Sequence, residues 1–138
     1  MKNCVFCNIV NKELPAFIIN QNEWITIFLD INPVSSGHVL IAPNEHIEKL
    51  HEIESTETAN ALMNALIATA NQLVKTGLCT DYSIVQSNGK YAEQDIEHLH
   101  FHIIPRQKDD GVVFKLDTDK IAALKENLIK IFDQLNRV

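Results

Sequence analysis

The stretch EHLHFHIIPR, residues 97–106, sets a histidine at every second position three times, at His98, His100 and His102, before two isoleucines and a proline. Side chains two apart on a β-strand share a face. The stretch therefore predicts a strand with three imidazoles on one side and Leu99, Phe101 and Ile103 on the other. Either the histidines decorate a wet surface behind a core-facing apolar row, or they line a site. On a regular strand, neighbours two apart are separated by ~6.6 Å and the outer pair by ~13 Å, whereas zinc lies about 2 Å from a histidine nitrogen. Two adjacent histidines can share an ion and the outer two cannot. The geometry thus divides the trio: one end can bind metal, and the middle imidazole is left free for chemistry.

The neighbouring segments give that strand a sheet to join. FIIN and EWITIFLD read as a hairpin turning at Asn20 to Glu23, GHVLIAP as a third strand from Gly37 to Pro43, and DYSIVQSNG as a strand running into a loop. Between them, Ser55 to Lys75 carries Ala59, Leu62, Met63, Leu66, Ile67, Ala70, Leu73 and Val74 on one helical face, with Ser55 as N-cap and Gly77 as C-cap. NIVNKEL reads as a short helix stopped by Pro15. Asp117 to Asn136 reads as a second long helix with the stripe Ile121, Leu124, Leu128, Ile131, Phe132 and Leu135. Five strands with hairpin-like connections and two main helices indicate an α+β domain around a mainly antiparallel sheet.

With 138 residues, 46% hydrophobic and 22% charged, the chain suits one domain over residues 1–138, and no linker or internal repeat divides it. A formal net charge of −6 with scattered Lys and Arg speaks against nucleic acid as a partner. No apolar run approaches the roughly 18 residues of a membrane span, and MKNCVFCNIV lacks a signal-peptide core, so a cytoplasmic protein is expected. Cys79 reads as a small buried hydrophobe. Cys4 and Cys7 have the spacing of a zinc half-site, which needs two further ligands, with histidine as the obvious supply. Zinc is favoured over a redox pair because the N-terminus offers no strand-then-helix setting for one.

HLHFHIIPR resembles the His-x-His-x-His signature of the histidine triad (HIT) family of nucleotide hydrolases and transferases. CVFCNIVNKELPA is similar to the family's opening helix, FLDINPVSSGHVLIAPNEH to its central strand pair, and NGKYAEQDIEHLHFHIIPR to its catalytic loop and strand. The motif-bearing core spans about residues 4–106, followed by the C-terminal helix at about 117–136. The resemblance implies a HIT-like homodimer of five-stranded subunits that binds a purine nucleotide and breaks a bond at its α-phosphorus. It makes His100 the nucleophile, which forms a nucleotidyl-imidazole that water hydrolyses. His102 then lies beside the phosphate and His38 orients and supports the nucleophile. Asp30 accepts the two ribose hydroxyls, and Val5, Phe6, Ile9, Leu14, Phe28 and Ile31 wall the base. Ser87, Gly89, Gln94 and Asp95 belong to the phosphate-holding loop, with Gln94 near the phosphate and leaving group. Members with paired cysteines complete a structural zinc site in a way that matches Cys4, Cys7, His46 and His98 here. His51 falls outside every motif and reads as solvated.

The loop departs from the family pattern: Glu93 stands where glycine is common, Asp95 where a hydroxyl residue often donates, and Ser87 where asparagine is frequent. A carboxylate ~4 Å from phosphate costs about 4 kcal/mol at an effective dielectric near 20. Asp95 is therefore expected to turn its side chain away and leave its backbone N–H as donor. The expected function is hydrolysis of an AMP phosphoramidate or a similar purine nucleotide conjugate. The alternatives are a dinucleoside polyphosphate (Ap4A-type) hydrolase, a non-catalytic nucleotide-binding regulator, and a structural zinc protein.

Overall fold

The strand Val39–Pro43 is buried along its whole length, as its unbroken apolar sequence requires of a strand covered on both faces. The structure is a computed structural model describing residues 3–137; Met1, Lys2 and Val138 of the expected 1–138 domain lie outside the described residues. Five strands, β1 (Ile18–Gln21), β2 (Ile25–Leu29), β3 (Val39–Pro43), β4 (Asp81–Val85) and β5 (Phe101–Arg106), form one sheet in the order β1-β2-β3-β5-β4. Every neighbouring pair is antiparallel. The β1–β2 turn falls at Asn22, whose side-chain oxygen accepts from the backbone N–H of Trp24 and Ile25.

The two faces of the sheet carry separate cores. On one, Ile25, Ile27, Val39, Ile41, Leu99 and Ile103 pack with Leu62, Ala65, Leu66 and Leu73 of α2 (Thr56–Lys75), and Cys79 joins them as a small buried side chain. Ser55 caps this helix by accepting from the Thr58 N–H at 3.1 Å. Thr76 is the C-cap, and Gly77 follows it at φ +78°. On the other face, Phe28, Leu40 and Ala42 pack against Phe6 and Ile9 of α1 (Val5–Val10).

Helix α1 begins inside the Cys4–Cys7 spacing rather than after it. Cys4 is its N-cap, with Sγ accepting the Cys7 N–H at 3.3 Å, so the cysteine pair is itself the helix start. The C-terminal segment differs more. The expected single helix is two, α3 (Thr118–Leu124) and α4 (Leu128–Leu135), joined by a tight 3-10 turn at Lys125–Asn127. Its stripe is exposed throughout, from Ile121 at 46% to Leu135 at 71%. Both faces of the sheet are already covered by α1 and α2, which leaves the stripe no surface of the central strands to pack on. No helix of the described residues is long and apolar enough to cross a membrane.

Candidate functional site

Strand β5 starts only at Phe101, because the backbone ahead of it is bonded elsewhere. The Leu99 N–H donates to the Ile47 carbonyl at 2.6 Å, and the His98 carbonyl accepts from the His100 ring at 2.6 Å. The alternation nevertheless holds, with Leu99, Phe101 and Ile103 on the α2 face and the three imidazoles opposite.

The first imidazole faces the cysteine pair. His98 Nδ1 lies 3.3 Å from Cys4 Sγ and 3.5 Å from Cys7 Sγ, and His46 Nδ1 lies 3.3 Å from Cys7 Sγ. The four ligand atoms all fall within 4.8 Å of one another. A tetrahedral zinc with sulfur at about 2.3 Å and nitrogen at about 2.0 Å sets its ligand atoms roughly 3.3–3.8 Å apart, so the separations and the two-thiol, two-imidazole chemistry fit. His98 Nε2–H donates to the Pro43 carbonyl at 2.8 Å, which fixes the tautomer that frees Nδ1 for a metal. Burial chiefly, then nearby His46 and His100, pushes His98 down to about 4, and burial with Cys4 alongside pushes the Cys7 thiol up. An ion would hold both thiols as thiolates and the imidazole neutral.

The second and third imidazoles face a cavity of about 350 Å³. His100 Nδ1 must carry the proton it donates to the His98 carbonyl, which leaves Nε2 as the ring nitrogen open to the cavity. Phe6 meets the His100 ring edge-on with centroids 4.9 Å apart. For His102 the tautomer is set by a chain of partners. The Val34 N–H donates to His38 Nδ1 at 3.2 Å, so His38 Nε2–H donates to His102 Nδ1 at 2.8 Å, and the His102 proton sits on Nε2. His38 thus supports His102, not the expected nucleophile, which is held by the carbonyl of His98. Gly37 sets His38 in place: at φ +89° it makes the turn into β3, and a Cβ there would lie 3.3 Å from Pro105. Burial first, then His100 and His38, pushes His102 down to about 4; burial also lowers His38, against the pull of Asp30.

Asp30, just past the end of β2, also lines the cavity, beside the His38–His102 pair, with its Oδ2 3.6 Å from His38 Nε2. All six residues expected around the base, Val5, Phe6, Ile9, Leu14, Phe28 and Ile31, line this cavity. So do Ala16, Leu40 and Ile96, which were not among the residues expected there.

The loop after β4 is placed differently. Gln94 does not line this cavity but borders a neighbouring hollow beside Asp95; its Oε1 accepts from the Gly89 N–H at 2.8 Å and its Nε2 donates to the Glu48 carbonyl at 2.8 Å, so its amide also staples the loop. Ser87 and Gly89 also lie outside the cavity lining. Glu93 adopts φ 63°, ψ 34°, the left-handed conformation that glycine takes without strain. Asp95 does not turn away: its Oδ1 lies 3.4 Å from His100 Nε2. His51 is exposed, as expected.

Comparison with known proteins agrees with this geometry. The family model described as HIT domain matches residues 11–109. An uncharacterised HIT-like protein of Methanocaldococcus jannaschii is 41% identical over 128 residues, covering 93% of this chain and 98% of its own. The adenosine 5'-monophosphoramidase of Saccharomyces cerevisiae is 35% identical over 132 residues, covering 91% and 80%. Among solved structures, a HIT family protein from Bacillus anthracis superposes with TM-score 0.85 at 28% identity, covering 99% of this chain and 97% of that one. A zinc-bound histidine triad family protein from Mycobacterium smegmatis superposes with TM-score 0.74 at 30% identity, covering 96% and 98%. The chain belongs to the HIT family.

Proposed function

We propose that this protein is a nucleotide hydrolase that releases AMP from a phosphoramidate or similarly activated conjugate through a nucleotidyl intermediate on His100. The observation that carries this is the His100 ring itself, pinned through Nδ1 to the His98 carbonyl with Nε2 opening on a cavity that Asp30 also lines. A carboxylate offers two acceptors to a vicinal diol, and the apolar wall formed by Phe6, Phe28 and Ile31 suits a purine. The Nε2 lone pair attacks the α-phosphorus, the leaving group departs with the bonding pair, and water then cleaves the phosphorus–nitrogen bond. His102 Nε2–H meets the charge that develops on the phosphoryl oxygens, a preorganised donor typically worth 10²–10³ in rate. Val34 and His38 keep that proton aimed. The similar yeast protein named a monophosphoramidase supports the substrate class.

The ligand set Cys4, Cys7, His46 and His98 is read as a structural zinc site, supported by its separations and by the zinc-bound neighbour of the same family. Four protein ligands leave no open position for water, so zinc would tie α1 to the reacting segment. We read the working form as a homodimer. Exposed Met63, Ile67 and Val74 on α2, with Tyr82 and Ile84 on the sheet-edge strand β4, offer an apolar surface for it. Three free thiols suit a reducing, cytoplasmic setting. Incubation with adenosine 5′-phosphoramidate should yield AMP, and calorimetric titration with AMP should saturate near one site per chain. Absence of both would overturn the assignment in favour of a purely structural zinc protein.

A further inference from the structure

Asp95 is the one acidic side chain set against the reacting nitrogen, with Oδ1 3.4 Å from His100 Nε2. A phosphorus poised for attack must come within about 3–3.5 Å of the same atom. Substrate and carboxylate therefore compete for that space; the Asp95 side chain is 72% exposed, with its Oδ1 accepting from the Ile96 N–H at 3.0 Å. Where it goes is set by the cavities. On the function proposed above the nucleoside would fill the cavity lined by Asp30 and Phe6, while Asp95 also borders a second hollow of about 390 Å³. The two share Val5, Asp95 and Ile96 as their common rim. With the nucleoside on one side of the rim and phosphorus at Nε2, the leaving group extends into the second hollow, past Asp95. Among the described residues, no lysine or arginine lines either space, and Glu48 and Glu97 border the second hollow with Asp95, so an anionic leaving group would meet carboxylates, of which Asp95 is the one at the reacting nitrogen.

We propose that Asp95 sorts leaving groups by charge. It favours a leaving nitrogen that bears N–H groups, as in an amine-derived nucleoside phosphoramidate, and disfavours a leaving oxygen that departs as an anion, as in a sulfate or polyphosphate. This rests on the hydrolase function proposed above. In the favoured reaction, solvent protonates the leaving nitrogen and Asp95 accepts hydrogen bonds from it. The Nε2–phosphorus bond forms as the phosphorus–nitrogen bond breaks, the pair stays on nitrogen, and a neutral amine departs. Water then forms the new phosphorus–oxygen bond, the pair of the Nε2–phosphorus bond returns to His100, and the water proton passes to solvent. With an oxygen leaving group the same pair becomes a full negative charge beside the carboxylate, in a site partly shielded from water.

The test is the ratio of kcat/KM for adenosine 5′-phosphoramidate to kcat/KM for adenosine 5′-phosphosulfate, measured on the full chain with Asp95→Asn, Asp95→Ser and Asp95→Glu. Loss of charge in the first two variants is expected to lower the ratio about tenfold or more, chiefly by raising the rate on the sulfate, while Asp95→Glu keeps it near the starting value. A structural role alone would change both rates in parallel and leave the ratio fixed. A ratio unchanged in Asp95→Asn and Asp95→Ser would overturn the proposal while leaving the hydrolase intact. Failure of the unaltered protein to turn over either substrate would overturn the hydrolase and the role of Asp95 together.

Discussion

His98 and His102 stand four residues apart on one face of the same segment, and burial pushes both down to about 4, yet their free nitrogens look onto opposite surroundings. His98 is fully buried, its Nε2 bonded to a backbone carbonyl and its Nδ1 among two thiols and a second imidazole. His102 takes its hydrogen bond on Nδ1 from His38 and turns a proton toward a cavity. On the proposed function, the same side chain serves as a metal ligand or a phosphate donor according to which nitrogen its neighbours occupy. Desolvation keeps it neutral in both cases, which each role requires. His100 lies between the two, held by the backbone of the first and 4.9 Å ring to ring from the second.

Five substitutions test this contrast. The largest effect is expected from His100→Ala, which removes the attacking group and neither end. Turnover should fall by at least about three orders of magnitude, AMP affinity should stay within roughly tenfold, and zinc content should not change. Next comes Cys7→Ser, at the closed end. It should lower the zinc found by metal analysis from near one per chain and lower Tm by about 5 °C or more, corresponding to roughly 2 kcal/mol for a chain of this size. Full zinc occupancy with an unchanged melt would return the cysteines to a packing role. His38→Ala acts on the open end alone: by freeing the His102 ring it should cost about tenfold to a hundredfold in kcat and leave zinc content as it was.

The pH dependence of folding comes next and is smaller in size. His102 titrates near 6.5 when unfolded and near 4 when folded. Between these values the unfolded chain binds more protons, so stability rises with pH there. The contribution of His102 is complete above pH 6.5 and is lost as pH falls toward 4, so denaturant midpoints should drop over that window. In His102→Asn that part of the drop should disappear. The smallest effect is expected from Glu93→Gly, which relieves a left-handed residue at some cost in chain entropy and should change stability by no more than about 1 kcal/mol.

Much of this arrangement was legible in the sequence because it rests on periodicity. The period-two pattern of residues 98–103 assigned Leu99, Phe101 and Ile103 to the core before any strand was known to form, and Ser55 announced the start of α2. The division of the trio followed from strand spacing alone. What sequence did not carry were partners supplied by backbone and by exposed chain. The carbonyls of Pro43 and His98, which set two tautomers, have no side-chain signature. Gln94 matched a phosphate-site pattern, yet its amide is committed to Gly89 and Glu48, a choice made by the loop's tertiary path. Asp95 was expected to turn away on electrostatic grounds that assumed bound phosphate, yet its Oδ1 stands 3.4 Å from His100 Nε2. The amphipathic stripe of residues 121–135 predicted helix correctly, but amphipathicity does not name the surface that a helix will meet.

The central claim is that the middle imidazole carries the nucleotide while its neighbours hold metal and meet phosphate. Rapid quenching at neutral pH during turnover of adenosine 5′-phosphoramidate, followed by proteolysis and mass spectrometry, tests it directly, since phosphoimidazoles survive there and are lost in acid. The predicted result is a nucleotidyl group on the peptide containing residues 97–106, located by fragmentation to His100 and absent from His100→Ala. Its appearance on His98 or His102, or product formation by the His100→Ala protein at the normal rate, would contradict the account.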